Sequence, residues 1–156
     1  MPVAVSITVT NSPIFVRIAE ILQAQVAEAG FEVTINQIDA TSLITVLRGR
    51  EFDLCMSPWS GRSDPDGNMF NYFTQDGPNN FAGWQSAEAD QMLNEARASG
   101  DPATRAELYG KIQRLIVDEA PMLFLAHPAT LQASTANLDW VQYPDGALRL
   151  QFASFT

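Results

Sequence analysis

Two periodicities alternate over the first 56 residues, and their order restricts the fold more than any single motif. Val3 to Val9 alternates apolar residues with Ala4, Ser6 and Thr8, the period of two that marks a strand. Ser12-Pro13 then opens a helical pattern in which Phe15, Ile18, Leu22, Val26 and Ala29 recur every three or four residues and form one apolar face. The serine is placed to cap free backbone N–H groups, and the proline occupies the first helical position, where a missing N–H costs no bond. Gly30 supplies a left-handed closing turn. Phe31 to Ile38 reads as a second strand, Thr41 to Arg48 as a short helix ended by Gly49, and Phe52 to Met56 as a third, buried strand. Strand, helix, strand, helix, strand at this spacing predicts an α/β lobe, its sheet mainly parallel, flanked by helices and joined by right-handed crossovers.

Downstream, the pattern predicts a short helix over Asn68 to Thr74 capped by Asp66, then turn chemistry from Gln75 to Asn80. Two helices follow. One starts at Ser86 and buries Ala89, Met92, Leu93 and Ala96; the other starts at Asp101-Pro102, buries Leu108, Tyr109, Ile112, Leu115 and Ile116, and stops before Pro121. Met122 to Ala126 is expected to be a further strand. The remainder, with Leu131, Leu138, Trp140, Val141, Leu148, Leu150 and Phe152, reads as short C-terminal strands separated by turns at Asn137 and Pro144-Asp145-Gly146.

A chain of 156 residues is long enough for one domain with a single core. Nine basic residues against eighteen acidic ones give a formal charge of −9, with Lys111 the only lysine, so a polyanion is repelled at long range and nucleic acid is not an expected partner. Apolar runs are far shorter than a membrane span, and the N-terminus has neither the basic nor the apolar region of a secretory signal. Cys55 is the only cysteine, which excludes an internal disulfide.

The segment Trp59-Ser60-Gly61-Arg62-Ser63-Asp64-Pro65-Asp66-Gly67-Asn68 leaves the end of the third strand, where open α/β sheets keep their ligands. Together with Asn79-Asn80-Phe81-Ala82-Gly83-Trp84 and the helix opening Ser86-Ala87-Glu88, it resembles the dipeptide/oligopeptide/nickel group of solute-binding proteins that serve ABC importers. Upstream, Ala19 to Gln25 with Ala29-Gly30-Phe31-Glu32-Val33 is similar to that family's helix, glycine and strand; downstream, Ala120 to His127 is similar to its near-terminal strand. Family members are longer and two-lobed. The resemblance therefore implies a periplasmic-binding-protein-like lobe: residues 1–156 form the C-terminal part, mostly the second lobe, and residues 137–156 form a tail that returns to the missing N-terminal lobe. It also implies a periplasmic address, a small-molecule ligand, ABC permease transmembrane subunits as partners, and no catalysis and no cofactor.

In peptide-binding relatives the segment around this tryptophan runs beside the bound peptide, and an aspartate shortly after it receives the ligand's α-amino group. This loop departs from that pattern by placing Arg62 after the Trp-x-Gly turn and by being slightly shorter. A guanidinium repels an ammonium and forms a two-bond fork with a carboxylate or phosphonate, so the expected solute carries an anionic group near Arg62. The alternative is that Arg62 pairs with Asp64 or Asp66 and only shapes the loop. The ligand-binding candidates are Trp59, Ser60, Gly61, Arg62 and Asp64, the last with a mainly structural role.

Other chemistry fits the sequence less well. Asp64 to Asn68 begins like an EF-hand loop, but Pro65, Met69 and Gln75 stand where that motif needs other residues. His127, the only histidine, and Cys55 are too few for a His/Cys metal site. A hydrolase using the same cleft would have Ser60 as nucleophile and His127 as its only possible base, without a Gly-x-Ser-x-Gly turn. A protein-interaction module acting through the apolar tail after Trp140 is the third expectation.

Overall fold

A computed structural model describes residues 1–127, 129, 131–141, 143, 147 and 149–155. Its contacts divide the chain into two units: Met1–Trp59 with Asn71–Ala87, and Ser60–Phe70 with the chain from Glu88 onward.

The first unit contains a three-stranded parallel sheet of order β2-β1-β3, from β1 (Val3–Thr10), β2 (Phe31–Ile38) and β3 (Leu54–Cys55). β1 and β2 pair over their whole length, from Val3 with Phe31 to Thr10 with Ile38. α1 (Pro13–Ala27) makes the crossover between them. Its side chains Phe15, Val16, Ile18 and Leu22 pack with Val33 and Ile35 around a buried set of Ile7, Val9, Ala19 and Met56. Ile7 and Val9 enter this core as the alternation predicts, but Thr8 and Thr10 on the other face are buried as well and Val3 is exposed. α1 begins at Pro13 as expected, but the Ser12 side chain makes no capping bond. Gly30 takes the left-handed turn at φ +86°, where an added Cβ would meet nothing within 4 Å, so its backbone freedom rather than its size is what the turn uses.

α2 (Leu43–Gly49) is one residue longer at its end than expected, and Arg50, not Gly49, adopts the left-handed cap at φ 55°. The guanidinium supplies the reason. Arg50 Nη2 donates to the Asn80 carbonyl at 2.7 Å, a tertiary bond that offsets the roughly 1–2 kcal/mol cost of left-handed backbone at a side-chain-bearing residue. β3 is shorter than the Phe52 to Met56 run. Asp53 uses its carboxylate to accept from Ser6 N and Oγ at 2.8 and 2.7 Å, replacing a backbone rung, and Leu54 stays half exposed.

α3 (Pro65–Phe73) starts three residues earlier than the sequence suggested and is capped by Asp64, whose Oδ1 accepts from Asp66 N at 2.8 Å. Proline at the first helical position with aspartate before it is the more favourable start, and it displaces Asp66 from the capping role. The second unit contains α4 (Ala87–Ala98) and α5 (Pro102–Glu119) apart from α4's first residue, with Ala89, Leu93, Ala96, Leu108, Tyr109, Ile112 and Ile116 buried. Asp101 caps α5 through Thr104 N at 2.9 Å, as its Asp-Pro start implies.

Met122 to Ala126 is not a strand. An apolar run becomes one only when another strand pairs its backbone, and none does so among the described residues; Leu123 and Phe124 are largely exposed. The tail forms a two-stranded antiparallel pair, β4 (Leu138–Asp139) with β5 (Ser154–Phe155), preceded by one 3₁₀ turn at Leu150–Phe152. The expected turn at Pro144-Asp145-Gly146, together with Leu148, lies outside the described residues.

Candidate functional site

In the order β2-β1-β3 the chain winds to one side of β1 and then to the other, so the topological switch falls between β1 and β3. Loops leaving the carboxyl ends of strands at such a point form the ligand crevice of open α/β sheets. Here they are the turn at Asn11-Ser12 and the segment Met56 to Trp59.

Trp59 is 46% exposed and stands edge-on to Tyr72, with ring centroids 4.8 Å apart. Tyr72 in turn meets Phe81 at 6.4 Å, and Phe73 meets Trp84 at 6.0 Å. Contacts of this kind leave part of the indole available to solvent while fixing its orientation. The loop carrying Phe81 and Trp84 is organised by Asn80, a residue only 2% exposed. Its Nδ2 donates to the carbonyls of Thr74, Gln75 and Trp84 at 3.1, 3.2 and 2.8 Å, and its Oδ1 accepts from Trp84 N at 2.9 Å. Gly83 turns with φ +68° beneath the Arg50 guanidinium, which an added Cβ would approach to 3.3 Å.

Ser60, Gly61, Arg62 and Asp64 belong to the second unit, and hydrogen bonds hold them together there. Arg62 Nη1 donates to the Ser60 carbonyl at 2.8 Å and more weakly to Ser60 Oγ at 3.3 Å. Asn68 closes the loop in both directions: its Oδ1 accepts from Arg62 N at 2.7 Å, and its Nδ2 donates to the carbonyls of Arg62 and Asp64 at 2.6 and 3.2 Å. Gly67 lets the chain pass close by, since a Cβ there would lie 3.1 Å from Arg62 Cβ.

Asp64 and Asp66 form their ion pairs with α4 and α5. Arg97 places Nε and Nη2 on the two Asp66 oxygens at 2.9 and 2.7 Å, and its guanidinium lies 3.2 Å over the Phe70 ring. The hydrogen bond to Asp66 raises the Arg97 pKa further above its ordinary value. Arg105 Nη2 spans both Asp64 oxygens at 2.8 and 2.9 Å while Nη1 holds the Ala96 carbonyl at 2.8 Å. Beside these pairs Tyr109 is 4% exposed, its hydroxyl has no hydrogen-bond partner among the described residues, and burial pushes its pKa up. Sequence reading found Arg62, Asp64 and Asp66 but not Asn68, Arg97, Arg105, Asn80 or Arg50. The two ion pairs join residues 31 and 41 positions apart, a separation that no local pattern reports.

Ser60 Oγ makes its bond to Arg62, and no bond joins it to His127 among the described residues. Cys55 sits in β3 with its thiol pKa raised by burial, the opposite of an activated nucleophile. No cluster of three or more His, Cys, Asp or Glu side chains suited to a metal ion occurs among the described residues.

A profile of the bacterial extracellular solute-binding proteins, family 5 (middle region), matches residues 2–81, a span that takes in the whole sheet and the loop through Trp59 and Arg62. The chain belongs to family 5 of the extracellular solute-binding proteins. Di/tripeptide-binding protein 2 of Pseudomonas aeruginosa (strain UCBPP-PA14) is 30% identical over 130 residues, 78% of this chain and 24% of that protein. The fold is that of the oligopeptide-binding protein AppA from Bacillus subtilis, solved with a nonapeptide, at TM-score 0.85 and 20% identity over 98% of this chain and 32% of that one. It is equally that of a dipeptide-binding protein from Pseudoalteromonas sp. SM9913 solved with Met-Leu, at TM-score 0.79 and 24% identity over 99% and 32%. The family 5 chain spans about a quarter of the length of the curated relatives it matches. Its parallel sheet flanked by helices, which the strand and helix pattern predicted, matches the periplasmic-binding-protein architecture that the family resemblance implied.

Proposed function

We propose that this chain is the C-terminal, second-lobe part of a solute-binding component of an ABC importer. It holds a small peptide-like or anionic solute outside the cytoplasmic membrane, in the periplasm, and presents it to the permease's transmembrane subunits when two lobes close. The observation that carries the reading is the position of the Trp59 loop: it leaves the sheet at the switch point, and it lies inside the span that matches the family. Trp59 offers an indole face to the solute, Ser60 and Gly61 offer backbone groups, and Arg62 receives an anionic group through its guanidinium. Asp64 contributes by capping α3 and fixing the loop. The role is binding without catalysis.

Native mass spectrometry of the protein, isolated from its source without denaturation, tests this. A retained small anion or a peptide with a free carboxylate is the expected result, and Arg62→Asp should abolish its retention. A retained peptide unaffected by Arg62→Asp would keep solute binding and remove the Arg62 contact. Turnover of an ester or glycoside panel, lost in Ser60→Ala, would replace the binding reading with a hydrolytic one.

A second reading draws on the tail, where Val141, Leu150, Phe152 and Phe155 are all more than half exposed. The first lobe of a longer chain covers these residues in the leading reading; in the alternative they bind another polypeptide. Light scattering across a concentration series separates the two, because self-association lost on deleting the residues after Trp140 favours the interaction module and a strict monomer counts against it.

A further inference from the structure

β2 is the outermost strand on one side of its sheet, and among the described residues no strand pairs with its outer edge. The register fixes which of its backbone groups face outward. Val3 N donates to the Gly30 carbonyl at 2.9 Å and Asn11 N to the Ile38 carbonyl at 2.8 Å, so in the parallel ladder Glu32, Thr34, Asn36 and Ile38 turn their backbone groups toward β1. Phe31, Val33, Ile35 and Gln37 therefore turn theirs outward. An edge of eight residues is a template for a further strand, and proteins commonly blunt it with proline, charge or a bulge. β2 contains no proline, its one charged residue is Glu32, and its pairing with β1 runs without interruption. One contact breaks the outward row. Gln23 of α1 donates from Nε2 to the Val33 carbonyl at 2.6 Å. The side chains of Val33 and Ile35 pack on the core beneath α1, which brings the middle of the edge within reach of that helix.

We propose that Gln23 is an autoinhibitory contact on the β2 edge: by occupying the Val33 carbonyl it keeps the strand from accepting an extended polypeptide segment in β-sheet pairing. A segment that adds to an edge draws its affinity from main-chain hydrogen bonds to each outward residue. Val33 is a central one of these, so a full ladder cannot form while its carbonyl is taken. An incoming strand has to displace the Gln23 amide, or leave its own N–H opposite Val33 without an acceptor. Either course costs the equivalent of a hydrogen bond, which corresponds to about tenfold in affinity.

The probe is a peptide with the sequence of residues 31–38, carrying fluorescein at its N-terminus and an amide at its C-terminus, titrated against the full chain by fluorescence polarisation. In an antiparallel register centred on Thr34 its Val33 lies opposite Ile35 and its Glu32 opposite Asn36, so the acidic side chains of peptide and edge do not meet. Gln23→Met keeps the bulk and removes the donor, and should bind the peptide about tenfold more tightly than wild type. Gln23→Lys, whose ammonium can still donate to the Val33 carbonyl, should bind it as wild type does. In the peptide-bound methionine variant the outward amides of Val33 and Ile35 should exchange hydrogen more slowly, while those of Thr34 and Asn36 stay as they were. Equal affinities of wild type and Gln23→Met overturn the proposal, as does tighter binding without protection at Val33 and Ile35 or a lysine variant as open as the methionine one. Peptide held in the solute cleft would bind wild type and variant alike and leave the edge amides unprotected, so failure here does not touch the solute-binding reading. Should Gln23→Met not fold, Gln23→Ala, which is favourable in a helix, takes its place, and equality with wild type again refutes the assignment.

Discussion

Asn80 gives the sharpest test of how the loop around Trp84 is held. Its amide serves four backbone groups from a position that solvent barely reaches, and the two shortest bonds, 2.8 Å to the Trp84 carbonyl and 2.9 Å from Trp84 N, both fix the residue that stacks on Phe73. A net hydrogen bond contributes about 1 kcal/mol, and a buried group left without a partner costs about 1–3 kcal/mol. Asn80→Ala removes two good bonds and strands the Trp84 N–H, so it should lose about 3 kcal/mol, a large share of the 5–15 kcal/mol typical of a domain. Asn80→Asp separates this account from a packing one. It keeps the shape and the acceptor for Trp84 N, but sets a carboxylate oxygen against three carbonyl oxygens. Its loss at pH 7 should therefore equal or exceed that of alanine. Repulsion and burial raise the folded-state pKa of that aspartate above the unfolded value of about 3.9, so the penalty is greatest above the folded pKa and shrinks as pH falls toward 4. Urea unfolding followed by circular dichroism at pH 7 and pH 4 measures both variants. A loss below about 1 kcal/mol for alanine, or an aspartate variant as stable as wild type at pH 7, would refute the hydrogen-bond account.

Three further outcomes follow from other sites. Tyr109→Phe removes a buried hydroxyl that has no partner among the described residues, so stability in urea should stay level or rise by up to about 1 kcal/mol, and a clear loss would mean the hydroxyl does make a bond. Gly77→Ala places a Cβ 2.5 Å from the Asn71 carbonyl oxygen, a contact with backbone that cannot swing aside, and thermal melts should show about 1–3 kcal/mol of destabilisation. Asp39, bonded by the Ser42 and Thr41 side chains and amides, has its pKa lowered from 3.8 to about 2. Its contribution is complete above the unfolded pKa and is lost as pH falls from about 4 through 2, so Asp39→Asn should lower the melting temperature at pH 7 and converge with wild type near pH 2; an equal gap at both pH values would contradict this.

The parts of the fold visible in the sequence are those that one element determines alone. The helical spacing of Phe15, Ile18 and Leu22 reports which face meets the core, and those side chains pack against it, whereas the alternation of Val3 to Val9 is only half kept: Val3 is exposed, and Thr8 and Thr10 on the other face are buried with Ile7 and Val9. Asp101-Pro102 and Gly30 act through their own backbone geometry, so they too could be read locally. Elements that depend on distant partners could not. Arg50 takes a left-handed conformation because Asn80, thirty residues on, accepts its bond, and Met122 to Ala126 carries strand composition without a pairing strand. The candidate site divides in the same way. Trp59 and Arg62 stood out because a polar, turn-rich segment follows an apolar run, whereas Asn68 read only as the first residue of a short helix and Arg97 and Arg105 lay in segments read for their buried faces.

That division bears on which positions of the loop tolerate substitution. Arg105 and Arg97 pair with aspartates already needed for local geometry: Asp64 caps α3, and Asp66 lies in its first turn, where negative charge is favoured by the helix dipole. A mutation that removes either acid therefore disturbs the helix start as well as the electrostatics, and position 62 is freer to vary. The Arg62 N–H and carbonyl are bound by Asn68 while its guanidinium donates to the Ser60 carbonyl, and another side chain at that position could retain the two backbone bonds. Arg62→Asp should accordingly leave the unfolding midpoint within about 0.5 kcal/mol of wild type. A clear loss of stability in that variant would show the Arg62 guanidinium, which donates to the Ser60 carbonyl, to be a structural part of the loop.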